Sequence, residues 1–197
     1  MSGLFEEERL NLLAIVGSPR LDGNTNYLVD QALGEAAKLG VQTEKLVLSQ
    51  YEVNPCLGHE DCASFDSCRQ KDDTVWILDR FCKVDGVILA TPVYYYNVSA
   101  QMKAFIDRNY FLYKHGRKSQ ARSVGIIVVA EAEGIEDTLQ TLKQFIDESF
   151  DVEVNRILIA CGYAGKAGEA KNNIPLVEEA RKLGRQMAQS LKVAQGK

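Results

Sequence analysis

Apolar runs with the length of a strand alternate along this chain with segments of helical periodicity. The runs are nearly continuous stretches of Val, Ile, Leu and Ala, and the sequence predicts strands over residues 10–16, 43–48, 84–90, 123–130 and 154–160. It predicts helices over residues 25–39, 73–83, 135–150 and 175–193, and one beginning after Ser99, with Asp73 and Ser99 as N-caps. Alternating strands and helices form βαβ units, and continuous apolar strands are covered on both faces. We therefore expect an α/β fold, with a doubly wound five-stranded parallel sheet in the order 2-1-3-4-5.

Size and composition point to one domain over residues 1–197, with a polar insertion at residues 49–71. The formal net charge of -4 argues against nucleic-acid binding. No apolar run approaches the roughly 20 residues of a membrane span, and the acidic residues 1–9 do not resemble a signal peptide. We expect a cytoplasmic protein that binds neither nucleic acid nor membrane, in which the five cysteines are thiols or metal ligands.

The loop over residues 17–26, Gly-Ser-Pro-Arg-Leu-Asp-Gly-Asn-Thr-Asn, joins the first strand to the first helix. A strand, a loop of small polar residues and a helix start form an arrangement typical of phosphate binding, because backbone N–H groups and the helix dipole face the anion. The loop lacks the Walker pattern and the dinucleotide glycine fingerprint. An ordinary turn between a strand and a helix is the alternative interpretation.

A second loop, Ala-Thr-Pro-Val-Tyr-Tyr-Tyr-Asn-Val-Ser over residues 90–99, follows the third strand. In the predicted order this strand lies beside the first, so the two loops meet at the switch point where such sheets bind ligands. Three consecutive tyrosines suit a flat ring system. The alternative is that they form a subunit interface.

Together with the following Met-Lys-x-Phe-Ile-Asp-Arg, these two motifs resemble the NAD(P)H-dependent FMN reductase family, which has the flavodoxin-like three-layer sandwich. Within it the chain is similar to the iron–sulfur flavoproteins and their cluster-free relatives. The resemblance implies FMN as cofactor. It implies that the FMN phosphate is bound by Ser18, Arg20, Asn24, Thr25 and Asn26, and that the isoalloxazine is lined by Pro92, Val93, Tyr94, Tyr95, Asn97 and Val98. The chain departs from the family at residues 130–134, Ala-Glu-Ala-Glu-Gly, where a glycine-rich loop is common.

The polar insertion contains a stretch of 13 residues with three cysteines, Cys56, Cys62 and Cys68. The iron–sulfur flavoproteins carry Cys-x2-Cys-x2-Cys-x5-Cys at this place, and the resemblance puts His59 on the second ligand position. A [4Fe-4S] cluster with one histidine ligand, a tetrahedral zinc site with the same four ligands, and a loop without metal are all compatible with this pattern.

The resemblance implies an FMN-dependent oxidoreductase that moves electrons from NAD(P)H or a reduced ferredoxin-like protein to an acceptor. The flavin carries the chemistry, so no catalytic side chain is assigned. Relatives are dimers or tetramers, so we expect a homodimer or homotetramer. The alternatives are a non-enzymatic flavin electron carrier, a flavin-binding subunit of a larger redox complex, and a binding module that has lost its flavin.

Overall fold

The computed structural model describes residues 9–195. The predictions about the N-terminal segment, and the outermost residues of the predicted domain 1–197, lie outside this range. The strands are β1 (Asn11–Val16), β2 (Gln42–Val47), β3 (Gly86–Tyr94), β4 (Asn97–Val98), β5 (Ser123–Ala130) and β6 (Leu158–Tyr163). The helices are α1 (Asn24–Lys38), α2 (Thr74–Lys83), α3 (Ala100–Arg108), α4 (Tyr110–Lys114), α5 (Ile135–Ser149) and α6 (Ile174–Gln195).

The sheet has the order β2-β1-β3-β5-β6, with all neighbours parallel, and β4 pairs antiparallel with the end of β3. The predicted α/β class and the doubly wound order are confirmed once β4 is set aside. The predicted strand count was one too low, because the chain after β3 turns back as a short hairpin. The direction of the connections reverses between β1 and β3, where Val16 lies opposite Ala90.

Each face of the sheet is covered by an apolar layer. Helices α1 and α6 cover one face, where Leu28 and Leu183 belong to the same buried cluster as Ile88. On the other face Phe81, Phe105 and Phe145 bring α2, α3 and α5 together, with ring centroids 5.4 to 6.3 Å apart. This layering is the one that continuous apolar strands require. Between residues 9 and 195, no helix combines the length and the apolar character needed to cross a membrane.

Several local predictions were wrong. The strand expected from residue 154 begins at Leu158, after a 3-10 turn over Val154–Arg156. No helix was predicted in the segment after α3, which contains α4. Asp73 occupies the N-cap position of α2 as predicted, but its carboxylate makes no cap hydrogen bond: it accepts from Glu52 N and Trp76 Nε1, while Asp72 Oδ1 accepts from Thr74 N at 3.1 Å. In contrast Ser99 caps α3 as predicted, with its Oγ accepting from Met102 N at 3.2 Å.

Candidate flavin site and cysteine loop

The two loops predicted to meet at the switch point are hydrogen-bonded to each other. The N–H of Gly17 donates to the carbonyl of Ala90 at 2.8 Å, and the hydroxyl of Ser99 donates to the carbonyl of Gly17 at 2.6 Å. Position 17 has no room for a side chain, because a Cβ there would lie 2.7 Å from both Ser99 Oγ and Met102 Cβ. The glycine therefore permits the close approach of the first loop to the start of α3.

The first turn of α1 has the features of an anion site. Gly23 precedes the helix with extended backbone, and the uncharged residues Asn24, Thr25 and Asn26 begin it. The first N–H groups of a helix have no acceptor within the helix, and the dipole places partial positive charge there. Backbone N–H groups and dipole thus favour a phosphate group at this point.

The side chains of the first loop divide into two groups. Asn24 binds the loop after β6, since its Nδ2 donates to the carbonyls of Ala164 at 3.0 Å and Lys166 at 2.9 Å and its Oδ1 accepts from Ala170 N. Asn26 Nδ2 donates to the carbonyl of Arg20 at 2.9 Å and shapes the loop itself. These two amides are structural, and the Ser18 hydroxyl also bonds to the backbone of Arg20 at 3.3 Å. A phosphate would meet the backbone N–H groups of the two asparagines together with the side chains of Ser18, Arg20 and Thr25.

A cavity of about 160 Å³ lies where the two loops meet. Its lining includes seven of the predicted flavin residues, which are Ser18, Arg20, Asn24, Thr25, Pro92, Val93 and Tyr94. The other predicted residues lie outside it: Asn26 is buried below the loop, Tyr95 is fully exposed, Asn97 binds the N–H of Val98, and Val98 is in the core.

The tyrosine segment forms a strained hairpin beside this cavity. Tyr95 and Tyr96 have φ of 49° and 61°, as the centre of a type I′ turn requires, although tyrosine rarely adopts this conformation. The hydroxyl of Tyr96 donates to Glu133 Oε2 at 2.8 Å, which raises the pKa of the tyrosine. Gly134 has φ of 87°, and a Cβ there would lie 2.7 Å from Tyr96 Cα. The hairpin therefore packs directly on the loop after β5.

A third wall of the cavity was not among the assigned site residues. It comes from Glu131, in the segment where the chain departs from the family, and from Ala164, Gly165 and Ala167 after β6. The N–H groups of Gly165 and Lys166 both donate to Glu169 Oε2 at 2.8 Å, and these bonds lower the pKa of Glu169. The sequence signal was the Gly-Tyr-Ala-Gly segment at the carboxyl end of the last strand, since loops at that edge line the ligand site. Arg20 and Glu131 give the cavity side chains of opposite charge.

The cysteine loop, which carries Cys56, Cys62 and Cys68, is closed by a buried ion pair where its two ends meet. Arg108 and Asp72 form a two-bond pair in which the side chains are 1% and 0% exposed. Arg108 Nη1 also donates to the carbonyl of Asn54 at 3.0 Å, and Asn54 N donates to Asp72 Oδ2 at 3.0 Å. Burial favours a higher pKa for Asp72, but the hydrogen bonds from Arg108 and Asn54 lower it overall. This clamp was missed in the sequence, because Arg108 is far from the loop along the chain.

The four predicted metal ligands lie in the clamped loop. Burial, followed by the charges of Cys68 and Cys56, raises the pKa of the Cys62 thiol. Each sulfur has its own partner: Cys62 donates to the carbonyl of His59 at 3.0 Å, Cys56 accepts from Gly58 N, and Cys68 accepts from Arg108 Nη2. Over residues 9–195, no three His, Cys, Asp or Glu side chains converge as a preformed metal site. The ligand set stays a prediction.

Known structures share this architecture. An NAD(P)H:quinone oxidoreductase from Methanothermobacter marburgensis superposes with a TM-score of 0.72 at 12% identity, over 91% of this chain and 97% of the other. A flavodoxin from the domain Archaea superposes with a TM-score of 0.58 at 11% identity, over 93% and 99% of the two chains. At such identities these similarities establish the flavodoxin-like fold.

Sequence relatives define the family. An iron–sulfur flavoprotein of Methanocaldococcus jannaschii is 34% identical over 191 residues, which are 93% of this chain and 98% of the relative. An iron–sulfur flavoprotein of Archaeoglobus fulgidus is 40% identical over 61% of this chain and 54% of its own length. The model of the NADPH-dependent FMN reductase family matches residues 10–165, and the chain belongs to this family. It is therefore an FMN-dependent oxidoreductase.

Proposed function

We propose that this oxidoreductase takes electrons from NAD(P)H or from a reduced ferredoxin-like protein and passes them to an acceptor at the cavity lined by Ser18, Arg20 and Pro92–Tyr94. FMN would supply the redox chemistry, since flavins exchange both hydride and single electrons. The observation that supports the proposal is a single cavity lined both by residues at the start of α1 and by the Pro92–Tyr94 segment, with the two loops joined by the bond from Ser99 to Gly17. Phosphate and ring sites would then lie side by side, as a flavin mononucleotide requires.

The residues of the chain would bind and orient the cofactor. The N–H groups at the start of α1 would bind the phosphate, and the guanidinium of Arg20 would balance its charge. Pro92, Val93 and Tyr94 would support one side of the ring system. Glu131, on another wall, would place negative charge near the flavin and so disfavour its anionic reduced form.

Anaerobic stopped-flow reduction of the FMN-loaded protein tests the choice of donor. We expect rapid bleaching of the flavin by NADH, NADPH or reduced ferredoxin, with a clear preference among the three. Fast reduction by ferredoxin alone would exclude NADH and NADPH as electron donors. Reduction by none of the three, while dithionite still reduces the flavin, would contradict the proposal. It would favour a flavin-binding subunit whose donor is another protein.

We also propose that the cysteine loop binds a thiophilic metal centre, a [4Fe-4S] cluster in the first instance, through Cys56, His59, Cys62 and Cys68. Support comes from the donor set, three thiols and one imidazole in a single loop, and from the names of the two archaeal relatives. Since the described loop does not gather these side chains, binding would require the loop to close. Iron, sulfide and zinc analysis of anaerobically purified protein tests this. The proposal would be contradicted if the protein contained no iron with sulfide and no zinc above background.

We also propose that the protein forms a homodimer or a homotetramer. Its support is the family resemblance together with the exposed, stacked rings of Tyr110 and Tyr113, whose centroids are 6.2 Å apart. Analytical ultracentrifugation of the FMN-loaded protein measures the state directly. A monomer at micromolar concentration would contradict this proposal.

A further inference from the structure

The sheet ends in two edge strands of opposite character, β2 and β6. On β2, Glu44 and Lys45 each form an ion pair, with α2 and α1 respectively. Charged side chains of this kind keep other chains from adding to an exposed edge. Strand β6 reads Leu-Ile-Ala-Cys-Gly-Tyr, with no charge and no proline, and it pairs with β5 without a bulge. The β6 edge therefore lacks the features that prevent strand addition.

The backbone groups of β6 that point away from the sheet are those of Ile159, Cys161 and Tyr163. The N–H of Ala164 donates to the carbonyl of Ala130 at 2.8 Å, so residue 164 faces β5. Successive residues of a strand face opposite sides, so residues 162 and 160 face β5 as well, and the three odd-numbered residues face outwards. Within residues 9–195, the one protein partner of these outward groups is Asn173 Nδ2, which donates to the carbonyl of Tyr163 at 3.3 Å.

The side chains of the same three residues form an apolar row that the helices leave partly uncovered. Ile159 is 38% exposed and Tyr163 is 55% exposed, while Cys161 packs against the apolar layer that includes α5. On the other face of the strand, Ala160 is buried in the layer that includes α6. Apolar side chains and unpaired backbone groups thus occur on the same residues, as on a strand that another strand can join.

The charges beside this row are arranged in a self-complementary way. Helix α5 starts at the carboxyl end of the sheet and runs back along it, with Glu136 in its first turn and Lys143 two turns later. Glu136 therefore lies towards the Tyr163 end of β6, and Lys143 lies about 10 Å further towards the Ile159 end. Burial, followed by the charges of Glu179 and Glu136, raises the pKa of Cys161, and Lys143 opposes this shift. Antiparallel pairing of two copies would turn the negative end of one row towards the positive end of the other.

We propose that β6 is the contact edge between two copies of this chain, which join their sheets by antiparallel pairing of β6 with β6 around a two-fold axis at Cys161. The inference rests on the proposed homo-oligomer and names the surface that forms it. Antiparallel residues exchange hydrogen bonds where both point towards each other. With the axis at Cys161, this residue pairs with its own copy and Ile159 pairs with the partner's Tyr163, a favourable cross-strand pair of a β-branched and an aromatic side chain.

The position of the axis follows from the outward residues. An axis at Ala160 would place Tyr163 opposite residue 157 of the other copy, and an axis at Gly162 would place Ile159 opposite residue 165. Both of these residues lie outside β6. The axis at Cys161 is the one that gives all three outward residues an outward partner within the strand.

Cross-linking through Cys161 tests the pairing in the wild-type, FMN-loaded protein. Residues that exchange hydrogen bonds across an antiparallel pair have Cα atoms about 5.5 Å apart, so the short bis-alkylating reagent dibromobimane should join the two thiols. The reaction is run at alkaline pH, because the pKa of this thiol is raised. We expect a covalent dimer whose cross-link is mapped by mass spectrometry to Cys161 of both copies, and no such product from Cys161→Ser.

Analytical ultracentrifugation of the untreated protein separates the two proposals. A monomer would overturn the homo-oligomer and the β6 interface together, and this is also the result expected if the edge receives a segment of an unrelated protein. An oligomer that gives no cross-link between two Cys161 residues would overturn the β6 interface alone.

A charge placed on the β6 edge should separate the copies. We expect Ile159→Lys to weaken the dimer roughly tenfold or more, because the added charge lies in the centre of the contact. Gln42→Lys is the matched control, since it adds the same charge at an exposed residue of β2, the other edge strand. An unchanged dissociation constant for Ile159→Lys would overturn the inference.

Exchanging the charges on α5 tests the two-fold arrangement. Glu136→Lys should weaken the dimer, because positive charges then face each other across the axis. The double variant Glu136→Lys/Lys143→Glu should restore it. A double variant that dimerises no more tightly than Glu136→Lys would contradict the axis at Cys161.

Hydrogen exchange of single amides, measured by NMR, needs no variant. The amides of Ile159 and Cys161 should become protected as the protein concentration rises, because their partners belong to the other copy. The amides of Ala160 and Gly162, which face β5, should be protected at every concentration. Exchange at Ile159 and Cys161 that does not depend on concentration in the range where the oligomer forms would overturn the inference.

Discussion

The hydroxyl of Ser99 donates a hydrogen bond of 2.6 Å to the carbonyl of Gly17, across the point where the sheet reverses its connections. The same hydroxyl caps α3 through Met102 N. One side chain therefore joins the loop that precedes α1 to the hairpin that follows β3. The bond therefore couples the two loops that line the cavity.

Replacing Ser99 by alanine should loosen both walls at once. The variant loses a helix cap and a buried bond to a carbonyl, so we expect a loss of about 1–3 kcal/mol in the free energy of unfolding and weaker FMN binding. Denaturant unfolding and flavin-fluorescence titration measure the two effects. Ser190→Ala, at an exposed position of α6, is the control and should change neither.

Arg20 should distinguish flavins by their phosphate. If its guanidinium balances the phosphate charge, Arg20→Gln weakens FMN binding roughly tenfold or more, as expected for a hydrogen bond to a charged group. Riboflavin, which has no phosphate, should bind equally to both proteins. Lys38→Gln at the far end of α1 serves as the control. An equal loss of affinity for FMN and for riboflavin would show that Arg20 does not contact the phosphate.

Glu131 should set the potential of the bound flavin. If its carboxylate lies close to the flavin it disfavours the anionic reduced form, and Glu131→Gln should then raise the two-electron midpoint potential by about 10–50 mV. Dye-coupled anaerobic titration measures this shift. Glu148→Gln, on α5, should leave the potential unchanged, and a lower potential in Glu131→Gln would show that the carboxylate is not directed at the flavin.

Tyr95 stores backbone strain at a fully exposed position. Asparagine adopts positive φ at lower cost, so Tyr95→Asn should stabilise the fold by about 1 kcal/mol, seen as a higher midpoint of unfolding. If the exposed ring contacts the electron donor or acceptor, turnover should fall in the same variant. Unchanged stability would mean that this turn does not retain its strain in solution.

Glu169 should make the stability contributed by the loop after β6 depend on pH. Backbone N–H groups of Lys166 and Gly165 lower the pKa of Glu169, so its contribution to stability is present above the ordinary glutamate pKa and disappears as pH falls through the lowered value. At pH 7 the wild-type protein should therefore melt at a higher temperature than Glu169→Gln. This difference should shrink below about pH 4. A difference that does not depend on pH would contradict the assignment.

Local patterns predicted most of the fold. Strand β5, entirely buried, was predicted with its observed ends, because a continuous apolar run between polar segments has a single interpretation. Ser99 was predicted as the cap of α3 for a similarly local reason. Strand β4 was missed because two adjacent tyrosines at positive φ contradict the residue preferences from which such turns are predicted.

The sequence predicted only those site residues that belong to a motif within a single loop. Ser18, Arg20 and Pro92 belong to motifs that can be read locally, and the structure places them at one cavity. The bonds of Asn24 to the loop after β6 and of Arg108 to Asp72 join residues that are distant along the chain. Such contacts depend on how the sheet brings segments together, and no pattern within one segment reports them.

A crystal structure of the FMN-loaded protein tests the central claim most directly. The account predicts the phosphate within hydrogen-bond distance of the N–H groups at the start of α1, and the isoalloxazine against Pro92–Tyr94. A flavin bound elsewhere, such as the cavity lined by Arg122 and Arg156, would contradict it.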